Sequence, residues 1–344
     1  MKILFTGNDD FKYNRTRILL HGLLENPDVE VIQYPLNKEG FSKTELQQHA
    51  QAADFIYIGA MRHSDVRPVR KMTSTPIVFD PLISKYLTRT IDHGKWWTAP
   101  EKYYRDWIAF SNCDVIMMDT QQDIDWIVNK YKLDPANIFV LPIGVDTSIF
   151  KPAPGEVNEK FTVGFHGGFI PLQGLDKIVE TARVLQHETD IRFDIVGAGS
   201  QYKKIRKLAD SYQLQNIKFR GWVNYDEINP IINAFDVCLG IFANSIKTDL
   251  VIPNKVYEYA ALGKCIITKD TPAIKEVFTH EKDIQLTVAA PEKMAEAILL
   301  MKADQKKRAN MGKAAYKLIV NGYDPLHIGK TFLNNLQLWE ASSV

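Results

Sequence analysis

The sequence predicts an α/β protein built of two doubly wound domains with parallel sheets, and three observations carry that prediction. At 344 residues the chain has room for two domains of the common size, about 150 residues each. Short apolar runs rich in β-branched residues alternate along it with segments of helical period. A stretch dense in proline and glycine, Pro142 to Pro154, interrupts the alternation just before a second set of runs begins. The boundaries expected from this break are 1–150 and 151–323.

In the first half the strand-like runs are Ile3 to Phe5, Val29 to Ile32, Phe55 to Ile58, Ile77 to Phe79, Val115 to Met118 and Ile138 to Leu141. The second half repeats the theme with Phe161 to Phe165, Ile191 to Val196, Ile217 to Phe219, Val237 to Phe242, Ile266-Ile267 and Ile284 to Val288. A strand apolar on both faces needs cover on both, and only intervening helices supply it, so parallel sheets follow. Leu175, Ile178, Val179, Ala182 and Leu185 fall on one helical stripe. Ser42 with Glu45 fits a capping box, and Thr271-Pro272 reads as an N-cap followed by proline at the first helical position. Pro230 lies inside a helical pattern from Glu227 to Phe235 and predicts a start or a kink there.

Composition narrows the function classes. Apolar residues make up 45% and charged ones 24%, enough for large cores and against disorder. Lys plus Arg (42) nearly cancels Asp plus Glu (41), so the basic footprint of a nucleic-acid binder is absent. Cys113, Cys238 and Cys265 are scattered in apolar runs and read as reduced core residues of a cytosolic protein. The first residues pass straight into a strand pattern and no run of 18 apolar residues occurs, which disfavours secretion and membrane spanning. The histidines lack ligand spacing, and Asp123-Ile124-Asp125 sits where acids favour a helix N-terminus after Thr120, so no metal is expected.

In open parallel sheets, ligands bind beyond the carboxyl ends of the strands, and two such domains face one another across an interdomain cleft. The loop His166 to Gly174 opens the second domain with Gly167-Gly168, where backbone can approach a phosphate; a plain tight turn is the competing reading. Gly197-Ala198-Gly199 is a second, weaker signal of the same kind. In the segment Val251 to Thr268, amides near Asn254 suit a diphosphate, Lys255 adds charge, and Glu258 one turn inward suits vicinal hydroxyls. A solvated helix residue is the alternative for Glu258, and core packing or a surface position is the alternative to donor contact for His166. From Ile83 to Trp107, Lys85, Arg89, Lys95, Lys102 and Arg105 interleave with Tyr86, Trp96, Trp97, Tyr103, Tyr104 and Trp107. Such a surface stacks on sugars or rests on anionic lipid, unless its aromatics simply pack.

Taken in order, Leu141 to Asp146 with Phe150, the His166 to Gly174 loop, Val196 to Gly199, Phe219 to Val223, and Lys255 to Ile267 resemble the motifs of family 4 retaining glycosyltransferases. The resemblance covers the linker and the second half, and the first half more loosely. It implies a GT-B fold: two Rossmann-like domains, a nucleotide-sugar donor (UDP-sugar or GDP-sugar) on the second, a saccharide or lipid-linked acceptor on the first, and neither metal nor cofactor. By position, Glu258 matches the glutamate that binds the nucleotide ribose, main chain at Trp222-Val223 reads the base, Gly167-Gly168 lies against the diphosphate, and Asp324 to Trp339 crosses back to the first domain, which thus includes 324–344. Arg15, in the early loop Asn8 to Arg17, faces phosphate or acceptor in that arrangement, and Trp96 and Trp97 form an acceptor lip or membrane-docking edge.

Three positions depart from the family pattern. Leu250 stands where the first of the paired glutamates belongs, with Asp249 the nearest acid. Gly168 and Gln173 stand where an arginine and a lysine are usual, so Lys247 and Lys255 are expected to supply the missing cations. Asp80 takes the place of a histidine and either orients a sugar or starts a turn. The expected activity is metal-independent, retaining hexosyl transfer from a nucleotide diphosphate to a hydroxyl acceptor of a cell-envelope glycan or lipid-linked saccharide, in the cytoplasm or peripherally at the inner membrane face. The rivals are a nucleotide-sugar 2-epimerase on the same fold, a two-domain sugar-binding protein and a non-catalytic scaffold.

Overall fold

The computed structural model describes residues 1–9, 11–154 and 158–342. It divides into two compact units, Met1–Gly144 together with the stretch from Tyr323 onward, and Val145–Gly322. The division falls at Gly144, a glycine at φ 70° inside the proline-glycine stretch.

The first unit holds β1 (Lys2–Thr6), β2 (Glu30–Gln33), β3 (Phe55–Ile58), β4 (Ile77–Phe79), β5 (Val115–Met118) and β6 (Ile138–Val140) in the order β2-β1-β3-β4-β5-β6. The second holds β7 (Phe161–His166), β8 (Ile191–Val196), β9 (Ile217–Gly221), β10 (Val237–Leu239), β11 (Cys265–Lys269) and β12 (Gln285–Thr287), ordered β12-β11-β10-β7-β8-β9. Every pairing among these strands is parallel.

Each apolar run read from the sequence is therefore a strand, and the two-residue period of the pleat shows why both faces are apolar. In the first sheet Ile3, Phe5, Phe55, Tyr57, Val115 and Met117 pack on one face with Ile18, Leu19 and Leu23. Leu4, Ile56, Ile58, Phe79, Ile116 and Met118 face the other way onto Leu46, Val66, Phe110 and Ile127. In the second, Val163, Phe165, Phe193, Ile195, Val237 and Ile267 meet the stripe Leu175, Ile178, Val179, Ala182 and Leu185.

The C-terminal helix Pro325–Ser342 belongs to the first unit, where Ile328, Phe332 and Leu336 complete one core face. It crosses the helix Asn14–Leu24 at a pair of glycines. A Cβ on Gly22 would lie 1.8 Å from the Pro325 carbonyl oxygen, and one on Gly329 would lie 2.8 Å from the Gly22 carbonyl carbon.

Local signals held where they were purely local. Ser42 Oγ accepts from the Glu45 N–H, but the Glu45 carboxylate turns away from the cap to Tyr34 Oη at 2.6 Å, leaving half a capping box. Pro230 sits in the first turn of a short helix, Ile228–Asn233. Thr271 does cap a turn, accepting from the Ile274 N–H at 3.2 Å, yet the element it caps is a single 3₁₀ turn, Ile274–Glu276, and not the expected helix.

A buried acid with no sequence signature anchors the aromatic segment. Asp106 accepts from Ser84 Oγ (2.6 Å), Tyr131 Oη (2.8 Å) and the N–H groups of Lys85 and Tyr86 (3.1 and 2.9 Å). Burial pushes its carboxyl above the usual range, and the four donors work against that rise.

Candidate functional site

In the second sheet the chain runs outward from β7 through β8 to β9, then returns to place β10 on the other side of β7. The crevice beyond β7 and β10 is thus the topological switch point, where open α/β sheets take ligands. The loops around it form a close-packed floor. Gly167 donates to the Val196 carbonyl at 3.0 Å, Gly197 to Gly221 at 2.7 Å, and Phe169 to Ala198 at 2.9 Å. A Cβ on Gly197, at φ 136°, would lie 2.0 Å from the Gly167 carbonyl oxygen. Gly197→Ala should therefore lower stability by about 2–4 kcal/mol through overpacking and a left-handed backbone. Gly168→Ala, with nothing within 4 Å of the added carbon, should stay within about 0.5 kcal/mol; urea unfolding of the two variants measures the contrast.

Over this floor the helix Asn254–Ala261, entered through Pro253, turns one face inward. Lys255, Glu258 and Tyr259 stand at i, i+3 and i+4 and so share that face. All three are buried. Tyr259 Oη accepts from the His166 backbone N–H at 2.9 Å, pinning the end of β7. His166 Nε2 lies 2.8 Å from Glu258 Oε2. Burial, reinforced by the Lys255 charge, pushes the imidazole down to about 3, so the ring is neutral and Nε2 carries the proton toward the carboxylate.

Lys255 Nζ donates to Gln173 Oε1 and sits 3.5 Å over the centre of the Phe165 ring. It also lies 2.8 Å from where a Cβ on Gly167 would be, so a side chain there would displace the amine, and the backbone at φ 139° itself favours glycine. Burial holds this amine well below its ordinary range, and Glu258 partly offsets the effect. The cation thus reaches Gln173, the position where the sequence departs from the usual lysine.

The remaining sequence-predicted residues distribute as follows. Asn254 opens the helix at its partly exposed end, and Lys247 is buried in the short helix Ile246–Leu250. Leu250 is buried, while Asp249 pairs with Lys269 at 3.0 Å at the end of β11. Trp222, 74% exposed, and the half-buried Val223 follow Gly221 at the end of β9.

In the first unit, Asp80 is fully buried after β4. Arg15 Nε donates to both its oxygens at 2.8 and 2.6 Å, Tyr57 Oη donates at 3.0 Å, and the Leu82 N–H donates at 3.2 Å. In that setting the carboxylate holds a turn and an ion pair. Arg15 is buried with it, and its terminal nitrogens find no hydrogen-bond partner among the described residues. Asp10, in the same early loop, lies outside the described residues. Asp123 belongs to the first turn of the helix Gln121–Tyr131, where its N–H donates to Thr120 Oγ1 at 3.1 Å, as a capped helix start requires. Trp96 and Trp97 are 62% and 78% exposed, and Tyr104 and Trp107 stack nearby at 6.1 Å between ring centres.

Two pairings escaped the sequence reading, His166 with Glu258 and Lys255 with Gln173. The i, i+3, i+4 spacing of Lys255, Glu258 and Tyr259 was the available signal, since three polar side chains on one face of an otherwise apolar helix need partners.

Comparison with known proteins gives a family match that falls on the second unit. The family model described as "Glycosyl transferases group 1" matches residues 146–318. The chain is 25% identical over 169 residues to a phosphatidylinositol N-acetylglucosaminyltransferase subunit from Arabidopsis thaliana, covering 48% of this chain and 36% of that protein. It is 26% identical over 197 residues to a GDP-mannose-dependent alpha-(1-6)-phosphatidylinositol monomannoside mannosyltransferase of Mycobacterium tuberculosis, covering 52% and 50%. The chain thus spans half or less of the length of these curated relatives. Among solved structures, Anabaena HepE in complex with UDP superposes with a TM-score of 0.74 at 15% identity, covering 98% of this chain and 100% of that one. Two parallel six-stranded sheets with flanking helices, that structural likeness and the family match together make this chain a GT-B-fold member of the group 1 glycosyl transferases.

Proposed function

We propose that the protein is a retaining glycosyltransferase that moves a sugar from a nucleoside diphosphate to a hydroxyl acceptor without a metal ion. The observation that carries this reading is the single helix face that turns Glu258 and Lys255 onto the glycine floor beyond β7. Glu258 takes the ribose hydroxyls, amides at Gly168 and Asn254 meet the diphosphate with Lys255, Gly167 letting the chain approach while its own amide stays on the Val196 carbonyl, and backbone at Trp222-Val223 meets the base. Lys247 adds a second cation from the neighbouring short helix. The structures of HepE with UDP and of the same protein with UDP-glucose support a nucleotide-sugar donor, and the names of the mannosyl and N-acetylglucosaminyl relatives support a glycolipid acceptor.

In the transfer, the bond from the anomeric carbon to phosphate breaks as the bond to the acceptor oxygen forms on the same face, and the departing phosphate oxygen takes the acceptor proton. The protein then needs no strong base. It supplies orientation and a fixed cation for the charge that builds on the leaving group. A thermal-shift screen against uridine and guanosine diphosphates and their sugars tests the reading, because a ligand selective for the folded state raises the melting temperature. No shift with any of them, or an inverted anomeric product, overturns it.

The exposed aromatics Trp96, Trp97, Tyr104 and Trp107 with Arg89, Lys95 and Arg105 form a surface suited to anionic lipid, where each basic residue contributes about 1 kcal/mol. Among the described residues no helix is long and apolar enough to cross a membrane. Vesicles of phosphatidylcholine with phosphatidylglycerol should sediment the wild-type chain, and the Trp96→Ala/Trp97→Ala double variant should bind about tenfold less.

A further inference from the structure

We propose that His166 is the positioning residue that makes Glu258 a reader of the ribose diol, an inference that rests on the donor-site reading above. A lone glutamate on a helix samples several rotamers, and selecting hydroxyls two at a time requires its carboxylate in one. His166 provides the restraint: its Nε2–H meets Glu258 Oε2 at 2.8 Å, and both residues are more than nine-tenths buried. Two further contacts fix the ring. Its backbone N–H is tied to Tyr259 Oη on the same helix, one residue beyond Glu258. The imidazole lies against the Tyr259 ring, with centres 5.1 Å apart.

The other ring nitrogen distinguishes a ligand site from a finished core contact. A neutral imidazole that donates through Nε2 presents a lone pair at Nδ1. Here Nδ1 is buried and finds no hydrogen-bond partner among the described residues. Natural cores rarely leave such an acceptor unmet. The charged group packed against the pair is Lys255, whose ammonium is directed to Gln173 and the Phe165 ring. The carboxylate therefore keeps a neutral partner, one that fixes its orientation without neutralising it.

The experiment compares affinities for uridine and guanosine diphosphates with those for their 2′-deoxy forms, by calorimetry. Wild type should prefer the ribonucleotide by about 10- to 100-fold, the usual cost of a lost hydrogen bond to a charged group. His166→Phe, which keeps a flat ring but removes both nitrogens, should cut that preference about tenfold. His166→Gln, whose amide restores a donor toward Glu258, should recover most of it. His166→Asn, too short to reach the carboxylate, serves in place of the phenylalanine variant should that one not fold. Equal losses for ribo and deoxy ligands in His166→Phe, or no change in their ratio, overturn the proposal. Glu258→Gln separates the two levels: if it collapses the ratio while His166→Phe does not, only the positioning role fails. If it leaves the ratio intact, the donor-site reading fails and the positioning role with it.

Discussion

Glu258→Gln is expected to weaken nucleoside diphosphate binding by about 30- to 100-fold while leaving the fold intact. That magnitude reflects the worth of hydrogen bonds to a charged acceptor, about 1.5–3 kcal/mol each, at one decade per 1.4 kcal/mol. The amide keeps the shape of the side chain but replaces one acceptor oxygen with a donor, which cannot receive a hydroxyl proton. His166 can still find the remaining oxygen, so the packing beyond β7 and the bond from its backbone to Tyr259 persist. Circular dichroism should match wild type, and titration calorimetry should carry the whole effect. Undiminished affinity in a folded Glu258→Gln protein would move the nucleotide away from this helix.

Lys255→Met is expected to do two opposite things: lower turnover by about 100-fold or more and raise the melting temperature of the ligand-free chain. Its amine is buried against Gln173 and the face of Phe165, and burial disfavours its charged form. A thioether of similar length fills that space without the desolvation cost. Catalysis loses the cation that lies against the glycine turn, a loss comparable in scale to deleting an oxyanion donor. A bound diphosphate favours the ammonium form, so the buried charge is unfavourable in the empty site and favourable in the filled one. Lys255→Arg should not rescue, because the amine is buried against Gln173 and the Phe165 ring, where a longer planar fork would have to displace both. A stabilised, fully active Lys255→Met enzyme would remove the lysine from the chemistry.

What the sequence disclosed, and what it withheld, reflects the range of the interactions. Runs such as Phe55 to Ile58 and Val115 to Met118 became strands because apolarity on both faces is a local property that only a covered parallel sheet satisfies. The Thr271 cap was also local, but the helix expected after it depended on what the next residues pack against, and Ile274 is drawn into the core after one turn. The site obeyed the same division. Gly167 and Glu258 were visible as types at strand and helix ends, whereas the meeting of Lys255 with Gln173 and of His166 with Glu258 joins segments far apart in the chain. No periodicity encodes such a contact. Asp106 was invisible for a related reason: one acid on a helix gives no hint that Ser84, Tyr131 and two backbone amides converge on it.

The glycine crossing between the helices Asn14–Leu24 and Pro325–Ser342 governs the order in which the protein can be made. Ile18, Leu19 and Leu23 lack their covering residues Ile328, Phe332 and Leu336 until the stretch after Gly322 has been synthesised. The second unit, continuous from Val145 to Gly322, has everything it needs by then. Vectorial synthesis therefore lets the continuous segment 145–322 close its core before the first unit can close its own, the reverse of the usual order of units along a chain.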